Sequence, residues 1–194
     1  MKKKQNIGKN NFHMEINISN EIILSILDGD LHARALAREL KTNHMTIINK
    51  LKELIDRNVM DFKQRGKNKI YFLKKTIEAK NHVFMAEIYK LNKALKTYPV
   101  LRKIIETIRN DKKIKLAILF GSYAKGVATR DSDIDIYVES RDQNLKRALE
   151  LFNSKLSVKI GAYNSAHPVI KEIEKNHVII KGVELFYEKN KFFD

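Results

Sequence analysis

The sequence predicts an α+β chain of two domains: a helix-rich N-terminal unit closed by a β-hairpin, then a unit in which strands alternate with helices. Three observations carry that expectation. Apolar residues between Ile22 and Ile55 recur at helical spacing. Two β-rich runs flanking a glycine turn come directly after them. Beyond Pro99, an apolar strand runs into FGSYAKGVATRDSDID, Phe120 to Asp135, a stretch holding two of the chain's seven glycines and three aspartates.

Residues 1–15 are polar and basic, and a flexible N-terminus is expected there. Ser19 is placed to cap a first helix with Ile22, Ile23, Ile26 and Leu27 on its apolar face and Gly29 at its end. HARALARELK, residues 32–41, sets Ala33, Leu36, Ala37 and Leu40 on one side of a second helix. Asn43 caps a third, HMTIINKLKELIDRN, whose stripe is Ile47, Ile48, Leu51, Leu54 and Ile55. VMDFKQ and KIYFLK, on either side of RGKN, read as a hairpin. These elements fill a domain over residues 16–75.

Between residues 76 and 97, Ile77, Phe84, Ile88, Leu91 and Leu95 advance by seven, four, three and four. That spacing predicts a linking amphipathic helix, ended by Pro99. Its near-heptad stripe is also what a homodimer would use. In the remaining domain, residues 98–194, VLRKIIETIRN reads as a helix and KIKLAILF as a buried strand. Helices are expected over 143–156 and 168–175, strands in LSVKIGAY and in the closing HVIIKGVELFYE.

The chemistry concentrates at residues 120–135. Gly121 opens a short helical turn, and Ser122 offers a hydroxyl and an amide beside it. A strand over Ser132–Val138 would carry Asp133 and Asp135 on one face and Ile134 and Ile136 on the other. Alternate residues of a strand lie about 6.5–7 Å apart, so the two carboxylates can converge on one or two Mg²⁺ ions.

Gly121-Ser122, ten residues and then Asp133-x-Asp135 resemble the GS-x10-DxD signature of the polymerase-β nucleotidyltransferase superfamily, above all its minimal branch. Four fixed positions match by chance at roughly one site in 10⁵. The resemblance covers about residues 98–194. It implies a mixed sheet flanked by helices and an enzyme that transfers a nucleoside monophosphate from a nucleoside triphosphate to a hydroxyl. In that reading Gly121 and Ser122 grip the β- and γ-phosphates, while Asp133 and Asp135 are the catalytic, metal-holding pair for Mg²⁺. Lys125 and Arg130 are cations within reach of the phosphates.

Active members usually draw a third carboxylate from the next central strand. Here that strand reads Ser157-Val158-Lys159-Ile160, with Lys159 at the aspartate position. An ammonium cannot ligate a cation. Either Glu139 or Glu184 supplies the acid, or two carboxylates suffice, or catalysis is lost and nucleotide binding or a structural role remains.

The segment LARELKTNHMTIINKLKELIDRNVMDF resembles the winged helix-turn-helix family. The resemblance implies duplex DNA binding, with His44, Met45, Thr46, Asn49 and Lys50 on the reading helix and Lys63, Arg65, Lys67 and Lys69 on the wing. Two whole-protein readings follow: a nucleotidyltransferase recruited to DNA by its winged helix, or a DNA-binding transcriptional regulator with a degenerate, nucleotide-sensing or structural transferase domain. The minimal branch adds a third, partnership with a small all-helical protein as a toxin–antitoxin pair.

Charge agrees with a polyanionic partner. The net charge is +15, with +10 in residues 1–97 and +5 in residues 98–194. The longest apolar run, Leu116 to Phe120, is far too short to span a membrane. With no cysteine and no apolar signal core, the expectation is a cytoplasmic protein without disulfides or thiolate metal sites. The six histidines show no paired spacing suited to zinc.

Overall fold

The computed structural model describes residues 18–194; the tail expected over 1–15 lies outside the described residues. The chain divides into two compact units, and the division falls between Tyr89 and Lys90.

In the first unit, helix α1 occupies 18–27. It is already helical at residue 18, so Ser19 lies inside the helix and does not cap it. A two-residue strand β1 (Leu31–His32) leads into α2 (Ala33–Glu39), then α3 (His44–Asp56), and β2 (Met60–Arg65) and β3 (Asn68–Leu73) close the series. The His32 ring accepts the Ala35 amide at 2.9 Å, and the Asn43 side chain accepts that of Met45 at 2.7 Å. Each satisfies an amide that the first turn of a helix leaves orphaned. The strands form an antiparallel sheet in the order β1-β3-β2. Ile22, Ile23, Leu36, Ile47 and Leu51 are fully buried and form the core of this unit.

Helix α4 (Ile77–Thr97) has the expected length, but only part of the expected stripe is covered: Leu91 is buried and Leu95 packs against the apolar cluster. Ala79, Val83, Ala86 and Leu91 are buried, whereas Ile77 is 64% and Ile88 49% exposed.

The second unit holds α5 (Leu101–Asn110), β4 (Ala117–Phe120), α6 (Gly121–Ala124), β5 (Ile134–Glu139), α7 (Gln143–Phe152), β6 (Leu156–Gly161), α8 (Pro168–Lys175), β7 (Val178–Lys181) and α9 (Val183–Lys189). Its sheet is mixed, in the order β6-β5-β4-β7. β4 pairs antiparallel with β5 and β7, while β5 and β6 run parallel through the α7 crossover. Ile104, Ile108, Ile134, Ile136, Val138, Leu149 and Val158 share one apolar cluster, so α5 and α7 cover a single face of the sheet.

Two local expectations fail. VELFYE is helix α9, not strand: Gly182 turns the chain at φ 81°, and a Cβ there would collide with the Lys115 carbonyl. Adjacent Phe186 and Tyr187 are both buried, which an alternating strand facing solvent on one side could not achieve. The second failure is that β5 begins at Ile134, leaving Asp133 just ahead of it. The ladder starts where Ile134 N–H meets the Lys155 carbonyl at 2.8 Å. Ser132 is drawn instead into its own loop, its hydroxyl accepting the Thr129 amide at 2.9 Å.

Candidate functional site

The site is built where β4 ends and β5 begins. Phe120 and Asp135 are register partners across the antiparallel ladder, so the residue after Phe120 arrives beside the Asp135 side chain. Gly121 takes φ 68°, a left-handed conformation that disfavours any side chain. A Cβ on it would sit 2.5 Å from Asp135 Oδ2. The glycine is therefore required twice, by backbone angle and by the carboxylate lying over it.

The turn beyond Gly121 is firmly held. Tyr123 is buried and stacks edge-on against Tyr98, with ring centroids 4.9 Å apart. The Tyr98 hydroxyl accepts the Ala128 amide at 3.2 Å, pinning the loop that leads to β5.

Asp133 is exposed and Asp135 half-buried. Burial pushes the Asp135 carboxyl above its ordinary range; a hydrogen bond from Ser157 pulls it back, the Asp133 charge raises it further, Lys159 lowers it and Glu172 raises it. Ser157, on β6, is the register partner of Asp135, and Lys159 is that of Tyr137. Lys159 thus lies one side-chain row beyond Asp135, while a serine hydroxyl stands directly beside it.

Lys125 caps the end of α6 and forms an ion pair with Glu172 of α8 at 3.0 Å. Glu172 was not legible as part of the site from sequence, since it lies far along the chain on a separate helix. Arg130 is exposed in the loop before β5, and its carbonyl accepts the Lys155 ammonium. Glu139, at the far end of β5, is bound to Lys189 at 2.9 Å and accepts the Tyr163 amide; Glu184 is exposed on α9. Neither stands beside Asp135.

Among the described residues, no three His, Cys, Asp or Glu side chains group closely enough to hold a metal by themselves. Asp133 and Asp135 together offer hard carboxylate oxygens and an excess of negative charge at Asp135. Such a pair suits a divalent cation that also takes ligands from a triphosphate.

In the first unit, His44, Met45 and Asn49 are exposed along the first half of α3, and Thr46 is partly so. Arg65, Lys67 and Lys69 are exposed on the β2–β3 hairpin. Lys63 is tied to Asp30 at 2.7 Å, and the Lys69 ammonium lies 3.8 Å from the Phe62 ring centre. Lys50 departs from its expected role. It is 7% exposed, and its ammonium turns back to Glu53 at 2.5 Å, because the next turn of α3 offers a carboxylate shared with Arg57. It is not part of the exposed face that His44, Met45 and Asn49 present.

A mixed sheet that sets a Gly-Ser turn against Asp135, with Asp133 two residues before it, is consistent with a nucleotidyltransferase-like domain. Residues 102–191 match the model of the family described as Polymerase beta, Nucleotidyltransferase. Over 45 residues, 23% of this chain, it is 47% identical to a protein of Methanocaldococcus jannaschii whose name proposes it as a protein adenylyltransferase. That alignment spans 45% of the relative's length. A solved structure titled as a toxin–antitoxin with AMP-PNP aligns with 25% identity and a TM-score of 0.32, covering 54% of this chain and 78% of that one. No helix among the described residues is long and apolar enough to cross a membrane.

Proposed function

We propose that the protein transfers a nucleoside monophosphate, with ATP as donor, to a hydroxyl. The observation that carries this is the Gly121–Asp135 approach: a glycine turn with its amides and the Ser122 hydroxyl, set directly against the Asp135 carboxylate. The family match and the relative named as an adenylyltransferase support the same reading. Gly121 and Ser122 hold the β- and γ-phosphates, and Lys125 and Arg130 offset their charge. Asp133 and Asp135 would hold Mg²⁺, which supplies charge neutralisation along the phosphates.

The acceptor oxygen bonds to the α-phosphorus, the bond from that phosphorus to the bridging oxygen breaks, and pyrophosphate leaves. The hydroxyl proton passes to one of the carboxylates Asp133, Asp135 and Glu172. Glu172 stands in for the acid that β6 lacks: Ser157 and Lys159 occupy that strand, and the charge of Glu172 is felt at Asp135. Incubation with Mg²⁺ and α-labelled ATP tests the reading. Label should move to an acceptor in the wild type and not in Asp133→Asn; equal labelling by that variant would remove Asp133 from the site.

The first unit fits a winged helix-turn-helix that brings the enzyme to duplex DNA. α3 would enter the major groove through His44, Met45, Thr46 and Asn49, and Arg65, Lys67 and Lys69 would meet phosphates. A second reading, a DNA-binding regulator with a degenerate transferase domain, is favoured by one observation, the cation Lys159 on the strand beside Asp135. Measurable duplex binding without any transfer of label would select it.

A further inference from the structure

A pocket of ≈ 250 Å³ opens at the free edge of β6, along the sheet from Asp135. It is lined by Tyr137, Gln143, Lys146, Lys159 and His167, among others, and none of its nine lining residues is acidic. Its location is set by the sheet: Tyr137 follows Asp135 by two residues on β5 and pairs with Lys159 on β6. The pocket therefore begins one side-chain row from Asp135. It also lies toward the carboxyl ends of the two parallel strands, where open α/β sheets take their ligands.

The polar groups there are donors. Lys159 is exposed, and Lys146 has a loose pairing with Glu150 at 3.9 Å. The His167 Nδ1 accepts the Val169 amide at 3.2 Å, which leaves Nε2 as the nitrogen carrying the proton. The Tyr137 hydroxyl is already used, donating to the Gly161 carbonyl at 2.9 Å. Two ammonium groups, an imidazole N–H and the Gln143 amide thus converge on a space that contains no compensating carboxylate. That donor set fits a phosphate.

We infer that this pocket binds a phosphate of the acceptor, so that the hydroxyl presented to the carboxylate pair belongs to a nucleotide or to the 3′-terminal nucleotide of a nucleic-acid strand. The inference rests on the transferase reading for the word acceptor, but the site itself can be measured without turnover. It gives Lys159 a positive role. The ammonium that stands where an acid was expected positions a phosphate one row from the reacting centre.

Binding to the full chain is measured by calorimetry with 5′-AMP, a trinucleotide too short for the α3–hairpin surface, phosphate-free adenosine, and ATP. The variants are Lys146→Gln/Lys159→Gln and Ser122→Ala. Both lysines lie at the surface, so the fold should survive their replacement. The double lysine variant should lose at least tenfold in affinity for 5′-AMP or the trinucleotide and change ATP binding less than twofold. Ser122→Ala should do the reverse. A free nucleotide as acceptor gives the lysine-dependent loss with 5′-AMP; a strand end gives it only with the trinucleotide. Binding of both probes unaffected by the lysine pair, or adenosine binding as tightly as 5′-AMP, overturns the pocket. So does α-label carried onto a protein side chain with equal efficiency in the lysine variant. ATP binding that ignores Ser122→Ala sinks the donor site alone.

Discussion

Gly121 lies directly beneath the Asp135 carboxylate, with no space for a methyl group between the Gly121 Cα and Oδ2. Gly121→Ala should therefore destabilise the protein by about 2 kcal/mol, combining left-handed strain with a steric clash. Chemical denaturation of the single variants and of Gly121→Ala/Asp135→Ala separates the two. In the Asp135→Ala background the clash disappears and only the backbone cost, about 1 kcal/mol, should remain.

Asp135 also makes stability depend on pH. Its folded-state affinity for a proton exceeds that of the unfolded chain, because burial and Asp133 outweigh Ser157 and Lys159. A raised carboxylate favours folding in full below the ordinary value of 3.8, and the benefit is lost as pH rises through the folded value. Asp135→Asn should accordingly raise the melting temperature at neutral pH, and the gain should vanish under strongly acidic conditions. Thermal scans at several pH values report this. An unchanged or lower melting temperature at neutral pH would mean that the carboxylate is compensated.

The same imbalance predicts a cation effect. Mg²⁺ should raise the melting temperature of the wild type when ATP is present, and much less that of Asp133→Asn/Asp135→Asn, read by differential scanning fluorimetry.

Lys125 and Glu172 are each nearly half exposed, so their ion pair contributes little stability. Glu172→Gln should leave the unfolding free energy within about 0.5 kcal/mol while lowering transfer of label by on the order of tenfold or more.

For α3 and the hairpin, the proposed DNA binding predicts a contrast. Arg65→Ala should weaken duplex binding at all sequences and flatten its salt dependence. Lys50→Ala should leave DNA affinity nearly unchanged and cost about 1 kcal/mol of stability, since its stem is buried and its head occupied by Glu53. Fluorescence anisotropy and denaturation together distinguish the two residues.

These contrasts follow from what the sequence could and could not carry. The Gly121 turn and the strand that carries Asp135 were legible because short spacings constrain them locally, though the strand begins after Asp133, and the α3 cap was legible because Asn43 stands two residues from the amide it serves. Lys50 was not: apolar periodicity places a residue on a helix face but does not say whether a carboxylate one turn away will draw its head inward. The α4 stripe misled in part, since alanine counts for little in a hydrophobic pattern yet Ala79 and Ala86 are buried. Glu172 and the β6 pocket depend on which helix folds over which strand, information that no local spacing contains. The strand expected over VELFYE ignored a glycine that can stop a ladder and start a helix.

The ladder that pairs Phe120 with Asp135 has one more result. Both partners belong to central strands: Ala117, Ile118 and Leu119 of β4 and Ile134, Ile136 and Val138 of β5 are wholly inaccessible to solvent. Amide protons there exchange only when the second unit opens as a whole. Gly121 and Asp135 are thus anchored to the most deeply buried part of the sheet, and heat should separate them only as the second unit unfolds.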